Sequence, residues 1–113
     1  MLGTDRMVRL TIALTPTPPR STHDLLEAFR FLALGTRLEP GCRGCSTWSE
    51  RARVHYVEEW ATEADMRRRV RSDPFTSLLT LMESADAPRV QFDFVASSRG
   101  LDYVAEVRGD EVS

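Results

Sequence analysis

The stretch that most constrains the fold is residues 54–75, where the pattern of a strand changes to the pattern of a helix. Successive side chains of a strand point to opposite faces, so one face of the predicted strand carries Val54, Tyr56, Glu58 and Trp60. Thr62 and Asp65 then stand three residues apart, as in a capping box, so a helix should begin near Glu63. A strand therefore leads directly into a helix.

A second helix is predicted to follow the first almost without a linker. Asp73 suits an N-cap, and Pro74 suits the first helical position, where its missing N–H costs no hydrogen bond. This helix should end near residue 84, and its apolar stripe is Phe75, Leu78, Leu79 and Met82. The helix before it carries arginines at 67, 68 and 69, which fan over more than half a turn, so most of them should face solvent or pair with acidic residues.

The first strand and the first helix are predicted in the N-terminal third of the chain. From Met7 onward, the residues expected on a buried strand face are Val8, Leu10, Ile12 and Leu14. Ser21 and Asp24 form another candidate capping box, which predicts a helix over residues 22–38. The core stripe of this helix is Leu25, Ala28, Phe29 and Leu32.

The same helix carries a second apolar strip, formed by Phe31, Leu34 and Leu38. Burial beneath the C-terminal segment is the favoured interpretation, because an apolar helical stripe is usually part of a core. The alternative is that part of the strip lines a ligand cavity beside the sheet.

Two strands, residues 42–50 and 52–60, should form a hairpin whose turn is either 50–51 or 51–52. Cys42 and Cys45 lie in the first of these strands as a lone CxxC pair. Strand residues three apart point to opposite faces, and further ligands are not apparent, so we expect neither a disulfide nor a bound metal.

The C-terminal third should contain the last strand and a segment with two interpretations. The strand is expected to follow Pro88 and to alternate from Val90 to Ala96. Residues 101–108 fit a strand about as well as a helix. Gly109, which follows Arg108 as a helix C-cap would, favours the helix.

The order β-α-β-β-α-α-β predicts a ferredoxin-like, split βαβ α+β fold with a four-stranded antiparallel sheet and helices on one face. We expect a single domain over residues 1–113, with a core of about 7–96 and a C-terminal extension over 97–113. The other sheet face is too apolar for bulk water, which suggests a two-fold homodimer. The net charge of -2 argues against nucleic-acid binding, and the chain has no apolar run that suits a membrane span or a signal segment, so we expect a cytoplasmic protein.

The turn at 39–41, Glu-Pro-Gly, and the stretch ending in Trp60 and continuing to Phe75 resemble the antibiotic biosynthesis monooxygenase family. The resemblance covers roughly residues 7–96. It implies a dimeric α+β barrel and the oxidation of a quinol- or anthrone-type aromatic molecule by O2, without a metal or other cofactor. Binding in a dry pocket and stabilisation of the substrate anion would be the protein's task.

The resemblance also implies a set of site residues. Trp60 matches the pocket tryptophan of the family, and Tyr56 stands where studied members have an asparagine, so its phenol would supply the hydrogen bond to the substrate oxygen. Glu58 is either a catalytic base or an ion-pair partner of a helix arginine. With Tyr56, Trp60 and Glu58 as the expected catalytic group, the expected substrate-binding residues are Phe29, Leu32, Trp48, Phe75, Leu79 and Phe92.

Pro74 occupies the position where many family members carry a histidine, and proline can neither shuttle a proton nor ligate iron. This departure keeps a second hypothesis open, in which the chain is a non-catalytic member of the fold that binds a small ligand or another protein. Retention of Trp60 favours the oxygenase hypothesis, and loss of the histidine favours the binding hypothesis.

Overall fold

A computed structural model describes residues 6–94 and 98–110 of the chain. The strands are β1 (Val8–Pro16), β2 (Cys42–Glu50), β3 (Arg53–Trp60), β4 (Ala85–Asp93) and β5 (Ser98–Arg99). The helices are α1 (Thr22–Thr36), α2 (Glu63–Arg71), α3 (Phe75–Glu83) and α4 (Leu101–Asp110). The sheet order is β2-β3-β1-β4-β5, and every pairing is antiparallel. The ferredoxin-like α+β prediction is confirmed, with a short fifth strand added at one edge.

Strand β1 forms the centre of the sheet because both of its edges are paired, one with β3 and the other with β4. Ile12 lies opposite Tyr56 on one side and Val90 on the other. The predicted buried face is confirmed, since Val8, Leu10, Ile12 and Leu14 are each 0% exposed. Burial of these branched side chains beneath the helices fixes which face of the sheet carries the core.

Helix α1 begins as predicted, with both hydrogen bonds of the capping box present between Ser21 and Asp24. Its buried residues are Leu25, Phe29, Ala33 and Thr36. The second apolar strip is not buried beneath the C-terminal segment, because Phe31, Leu34 and Leu38 are 74%, 62% and 86% exposed. That prediction is wrong, since α4 packs on α2 and β4 instead.

The β2–β3 hairpin turns at Arg51 and Ala52, which both have positive φ, at 52° and 65°. Two such residues give the twist that a tight hairpin needs, even without the favoured Asn-Gly pair. At the other end of β2, the pairing register shifts between Cys42 and Gly44. The shift inserts an extra residue, as a β-bulge does, and it reverses the expected side-chain alternation there.

Helix α2 begins after Thr62, whose hydroxyl accepts a hydrogen bond from the backbone N–H of Asp65, as predicted. The predicted start of α3 is wrong by one residue. Pro74 takes the N-cap position with helical φ and ψ, and no side chain caps the helix. Of the predicted α3 stripe, Phe75, Leu78 and Met82 are buried and Leu79 is partly buried.

Strand β4 begins at Ala85, earlier than predicted, and Pro88 lies inside it. The β1–β4 register shifts between Ala13 and Thr15, so the proline sits at an irregularity, where a missing N–H is tolerated. The strand ends at Asp93, and the predicted strand residues Val95 and Ala96 lie outside the described residues.

The C-terminal segment is a helix, and α4 buries Tyr103, Val104 and Val107 against the core. The expected glycine C-cap is wrong, because α4 continues through Gly109 to Asp110. Within the described residues, no helix is long and apolar enough to cross a membrane.

Candidate functional site

Strand β3 directs Tyr56, Glu58 and Trp60 toward the helices, where they are 0%, 0% and 1% exposed. Glu58 accepts a hydrogen bond from the Tyr56 hydroxyl at 2.6 Å and another from Trp60 Nε1 at 2.9 Å. A buried carboxylate needs such donors, because burial removes the water that would otherwise solvate its charge. The two rings therefore hold Glu58 rather than a ligand.

Arg69 completes the solvation of Glu58. Its Nη2 lies 2.7 Å from Glu58 Oε2, and its Nε lies 3.1 Å and 3.2 Å from the two carboxylate oxygens. The Arg69 side chain is 2% exposed and its guanidinium lies over the Phe75 ring, 5.5 Å from the ring centroid. One buried positive charge thus compensates one buried negative charge.

Thr36 and Glu39 connect this buried pair to the surface. Arg69 Nη2 also donates to Thr36 Oγ1 at 3.1 Å, and Arg69 Nη1 donates to Glu39 Oε2 at 3.3 Å. The side chain of Glu39 is 31% exposed, unlike that of Glu58. We call the six residues Thr36, Glu39, Tyr56, Glu58, Trp60 and Arg69 the Arg69 cluster.

The protonation states within the Arg69 cluster follow from burial and from Glu58. Burial, and next the negative charge of Glu58, raise the pKa of Tyr56 far above its ordinary value. Burial by itself would lower the pKa of Arg69, but the hydrogen bonds and charge of Glu58 raise it overall. Tyr56 therefore stays a neutral hydrogen-bond donor, and Arg69 stays a cation.

A cavity of about 390 Å³ opens beside the Arg69 cluster, between α1 and the start of α3. Its lining is Phe31, Leu32, Leu34, Gly35, Thr36, Glu39, Arg69, Pro74 and Ser77. A second cavity, of about 310 Å³, continues along the same helices and shares Phe31, Leu32 and Ser77 with the first. We call the two together the α1–α3 groove. Apolar walls with a few convergent polar groups are typical of small-molecule sites.

The expected catalytic residues lie behind the groove rather than on its surface. We expected Tyr56 and Trp60 to face a common cavity, but both pack in the core and direct their polar atoms at Glu58. Neither these two residues nor Glu58 lines the groove. Arg69 and Thr36 connect them to it.

The expected substrate-binding residues are dispersed. Leu32 lines both cavities of the groove. Phe29 stacks on Tyr56 with ring centroids 5.0 Å apart, Leu79 packs against the core, and Phe92, which lies two strands across the sheet from β3, packs on Tyr103. Phe75 lies beneath Arg69. These four residues support the core and its buried charges.

Trp48, which was expected to bind substrate, lies on the opposite sheet face from Tyr56 and Trp60 and does not line the groove. In the hairpin register Trp48 faces His55, and the two rings stack with centroids 5.3 Å apart. Directly opposed residues share a face, and the neighbours of Tyr56 along β3 point away from the helices. The register, which the sequence left open, decides this placement.

Three residues of the site were not singled out from the sequence: Thr36, Glu39 and Arg69. A signal for Arg69 existed, because it follows the apolar Met66 by three residues and therefore shares the buried face of α2. Glu58, a carboxylate on an otherwise apolar strand face, also required a buried cation. Glu39 belongs to the Glu-Pro-Gly turn that carries the family resemblance, but neither Glu39 nor Thr36 gave a signal of contact with Arg69, because the end of α1 and the turn after it bring them there.

Cys42 and Cys45 are both free thiols. The expectation that they point to opposite faces is wrong, because the bulge places Cys42 opposite Trp60 and Cys45 opposite Glu58, which share the helix-facing side. Burial raises the pKa of Cys45 to about 11 and also raises that of Cys42. Among residues 6–94 and 98–110, no three His, Cys, Asp or Glu side chains form a group that could hold a metal ion.

Residues 7–79 match the sequence profile of the antibiotic biosynthesis monooxygenase family. The match spans more than half of the chain, and the chain belongs to this family. The expected resemblance is therefore confirmed. A search of curated protein sequences found no match.

Solved structures share the fold at low sequence identity. A protein from Shewanella oneidensis superposes with a TM-score of 0.70 at 19% identity, covering 80% of this chain and 91% of that one. A proposed antibiotic biosynthesis monooxygenase from Caulobacter crescentus gives 0.67 at 18% identity, covering 85% and 95%. SnoaB, a cofactor-independent oxygenase from Streptomyces nogalater, gives 0.67 at 13% identity, covering 80% and 94%.

Proposed function

We propose that this chain is a cofactor-independent oxygenase that binds a quinol- or anthrone-type aromatic molecule in the α1–α3 groove. The observation that carries the proposal is the first cavity of the groove, which has apolar walls and the polar edge of the Arg69 cluster at its base. Its volume of about 390 Å³ lies within the range of small-molecule sites. Family membership supplies the reaction class that the proposal assigns to this cavity.

The proposed reaction needs an anion of the substrate and O2. An anthrone methylene loses one proton to give an enolate, whose carbon forms a bond to O2. The resulting hydroperoxide, after protonation, loses water and leaves a carbonyl on the ring. One oxygen atom is retained and the other becomes water, so the substrate itself supplies the electrons.

The groove would contribute binding, exclusion of water and stabilisation of the anion. The aromatic ring would lie between the apolar walls, with its oxygen toward Arg69 and Thr36. A fixed guanidinium stabilises a developing oxyanion more than water does, because it needs no reorganisation. In this proposal Glu58 positions Arg69, while Tyr56 and Trp60 position Glu58.

A second candidate function is binding of the same class of molecule without turnover. Pro74 favours it, because this residue lines the cavity at the position where many family members carry a histidine. The groove would then serve as a receptor site for an aromatic ligand. The two functions share the ligand and differ in oxygen consumption.

Oxygen uptake in the presence of a panel of anthrones and quinols tests the proposal. The wild-type chain should consume O2 faster than buffer with at least one member of the panel. Ser77 is an exposed residue that lines both cavities, so Ser77→Trp should fill the groove without disturbing the core and should abolish the uptake.

Ser49→Trp is the matched control, because Ser49 is exposed near the hairpin turn and lies outside the lining of the groove. It should retain the wild-type rate. No uptake with any panel member contradicts the oxygenase proposal. Binding that persists in calorimetry and is lost in Ser77→Trp would then assign the second function.

A further inference from the structure

The charges at the base of the first cavity do not balance. Glu39 and Glu58 are two carboxylates, and both contact the single guanidinium of Arg69. Among the described lining residues the charged members are Glu39 and Arg69, and Arg69 is already paired with Glu58 behind the cavity wall. A ligand entering the cavity therefore meets a net negative charge.

This balance opposes a ligand that arrives as an anion. Like charges placed together in a partly buried site repel each other strongly, because little water screens them. A neutral ligand that can release a proton avoids the penalty. If the ligand transfers its proton to Glu39, Glu39 becomes a neutral acid and the ligand becomes an anion. The site loses one negative charge and gains another, so its net charge is unchanged.

We propose that Glu39 accepts the substrate proton and that its charge restricts the cavity to uncharged ligands that carry a hydroxyl or enolisable group. This inference rests on the proposed function and adds to it the proton acceptor and the charge state of the substrate. The proton moves from the ligand to a Glu39 oxygen. The electron pair of a broken O–H bond stays on the ligand oxygen, and that of a broken C–H bond forms the enolate C=C bond while the negative charge moves to the carbonyl oxygen. Arg69 Nη1 then donates its hydrogen bond to the negatively charged ligand oxygen instead of to Glu39.

The geometry supports this exchange at Glu39 and opposes it at Glu58. Glu39 lines the cavity, is 31% exposed and has one contact of 3.3 Å to Arg69, so it can turn toward a ligand. Glu58 is 0% exposed and accepts hydrogen bonds from Tyr56, Trp60 and Arg69, so it has no path to a ligand. Glu58, for which the sequence left open a role as a base or as an ion-pair partner, is the ion-pair partner of Arg69, and Glu39 at the cavity would act on the substrate.

The test compares two ligands of similar shape that differ in charge, 2-naphthol and 2-naphthoate. Calorimetry under nitrogen at neutral pH measures binding with no contribution from turnover. The wild-type chain should bind 2-naphthol more tightly than 2-naphthoate by about 10-fold or more, since one like-charge contact costs at least this factor. Glu39→Gln should raise the affinity for 2-naphthoate by about 10-fold and leave that for 2-naphthol within about twofold.

Glu50→Gln is the control, because it removes the same charge from an exposed residue at the far end of β2. It should keep the wild-type preference. Equal wild-type affinity for both ligands, or an unchanged preference in Glu39→Gln, overturns the role of Glu39. If the preference is found but wild type consumes no O2 with any panel member, the proposed oxygenase function fails while the charge selection stands. If neither ligand binds, the role of Glu39 fails, whereas the oxygenase function is decided by O2 uptake with the anthrone and quinol panel.

Discussion

At the scale of residues, the feature that organises the site is a buried carboxylate that three other side chains hold in place. Glu58 receives hydrogen bonds from Tyr56, Trp60 and Arg69 within a core that is mostly apolar. Such an arrangement costs solvation energy for both charges, so it is poor evidence for stability. It fixes the position of Arg69, whose guanidinium would stabilise the substrate anion in the groove.

Loss of the Arg69 charge should destabilise the fold strongly. We expect Arg69→Met to lower the free energy of unfolding by about 3–5 kcal/mol, because Glu58 would remain buried without its cation. Urea unfolding measures the loss. Arg68→Met is the matched control, since Arg68 is 56% exposed and exposed pairs contribute about 0–1 kcal/mol.

A double variant separates the charge of Glu58 from the packing of Arg69. Glu58→Gln combined with Arg69→Met should be more stable than Arg69→Met alone, because the amide carries no charge. Its single oxygen can still accept the hydrogen bond from Trp60 Nε1, and its NH2 group can donate to the Tyr56 hydroxyl oxygen. Equal instability of the two variants would show that the buried charge is not the source of the loss.

At the scale of elements, the turn from α1 into β2 joins the groove to the sheet. Gly41 has a φ of 89°, and a Cβ atom at this position would collide with the carboxylate of Asp65 at the start of α2. The backbone of Gly41 also accepts a hydrogen bond from the N–H of Ala61 at 2.8 Å. Helix α2, and with it Arg69, is therefore seated against this turn.

Two glycine substitutions should have opposite effects on stability. Gly41→Ala should lower the free energy of unfolding by more than about 1 kcal/mol, because positive φ and the collision with Asp65 both oppose a Cβ. Gly35→Ala should raise it by roughly 0.5–1 kcal/mol, because Gly35 is helical and nothing lies within 4 Å of the added atom. Thermal unfolding compares them. A stable Gly41→Ala protein would refute the seating of α2 on this turn.

At the scale of the whole molecule, one sheet face carries the helices and the other is open in the single chain. The open face combines the stacked pair of Trp48 and His55 with an ion pair between Arg9 and Glu59. Trp48 is 43% exposed there. A large aromatic ring on an open sheet face suits a protein interface. In a two-fold dimer, the open face of each copy would cover that of the other.

The chain should therefore form a homodimer through this face. Light scattering at micromolar concentration should give about twice the 12.8 kDa of one chain. Trp48→Glu should shift the protein toward the monomer, because it places a charge in the interface, whereas Phe31→Glu on α1 should not. A wild-type protein that stays monomeric contradicts the dimer.

The sequence by itself determined the elements and the faces of most of them. Period-two alternation and capping boxes depend on residues close together in the chain, so β1, β3, α1 and α2 could be predicted. The same local rules placed Tyr56, Glu58 and Trp60 on one face. Family membership could also be inferred, because its motif residues lie in two short segments, the turn at 39–41 and the stretch through Trp60 to Phe75, which can each be recognised in the sequence alone.

Tertiary structure alone decided the composition of the site. The hairpin register sent Trp48 to the open face, and a bulge brought Cys42 and Cys45 to the same side. The packing of α2 on β3 selected Arg69 from three consecutive arginines, and the end of α1 brought Thr36 and Glu39 to it. These outcomes depend on contacts between residues far apart in the chain, and local sequence patterns do not encode which distant partner a charge or a ring will meet.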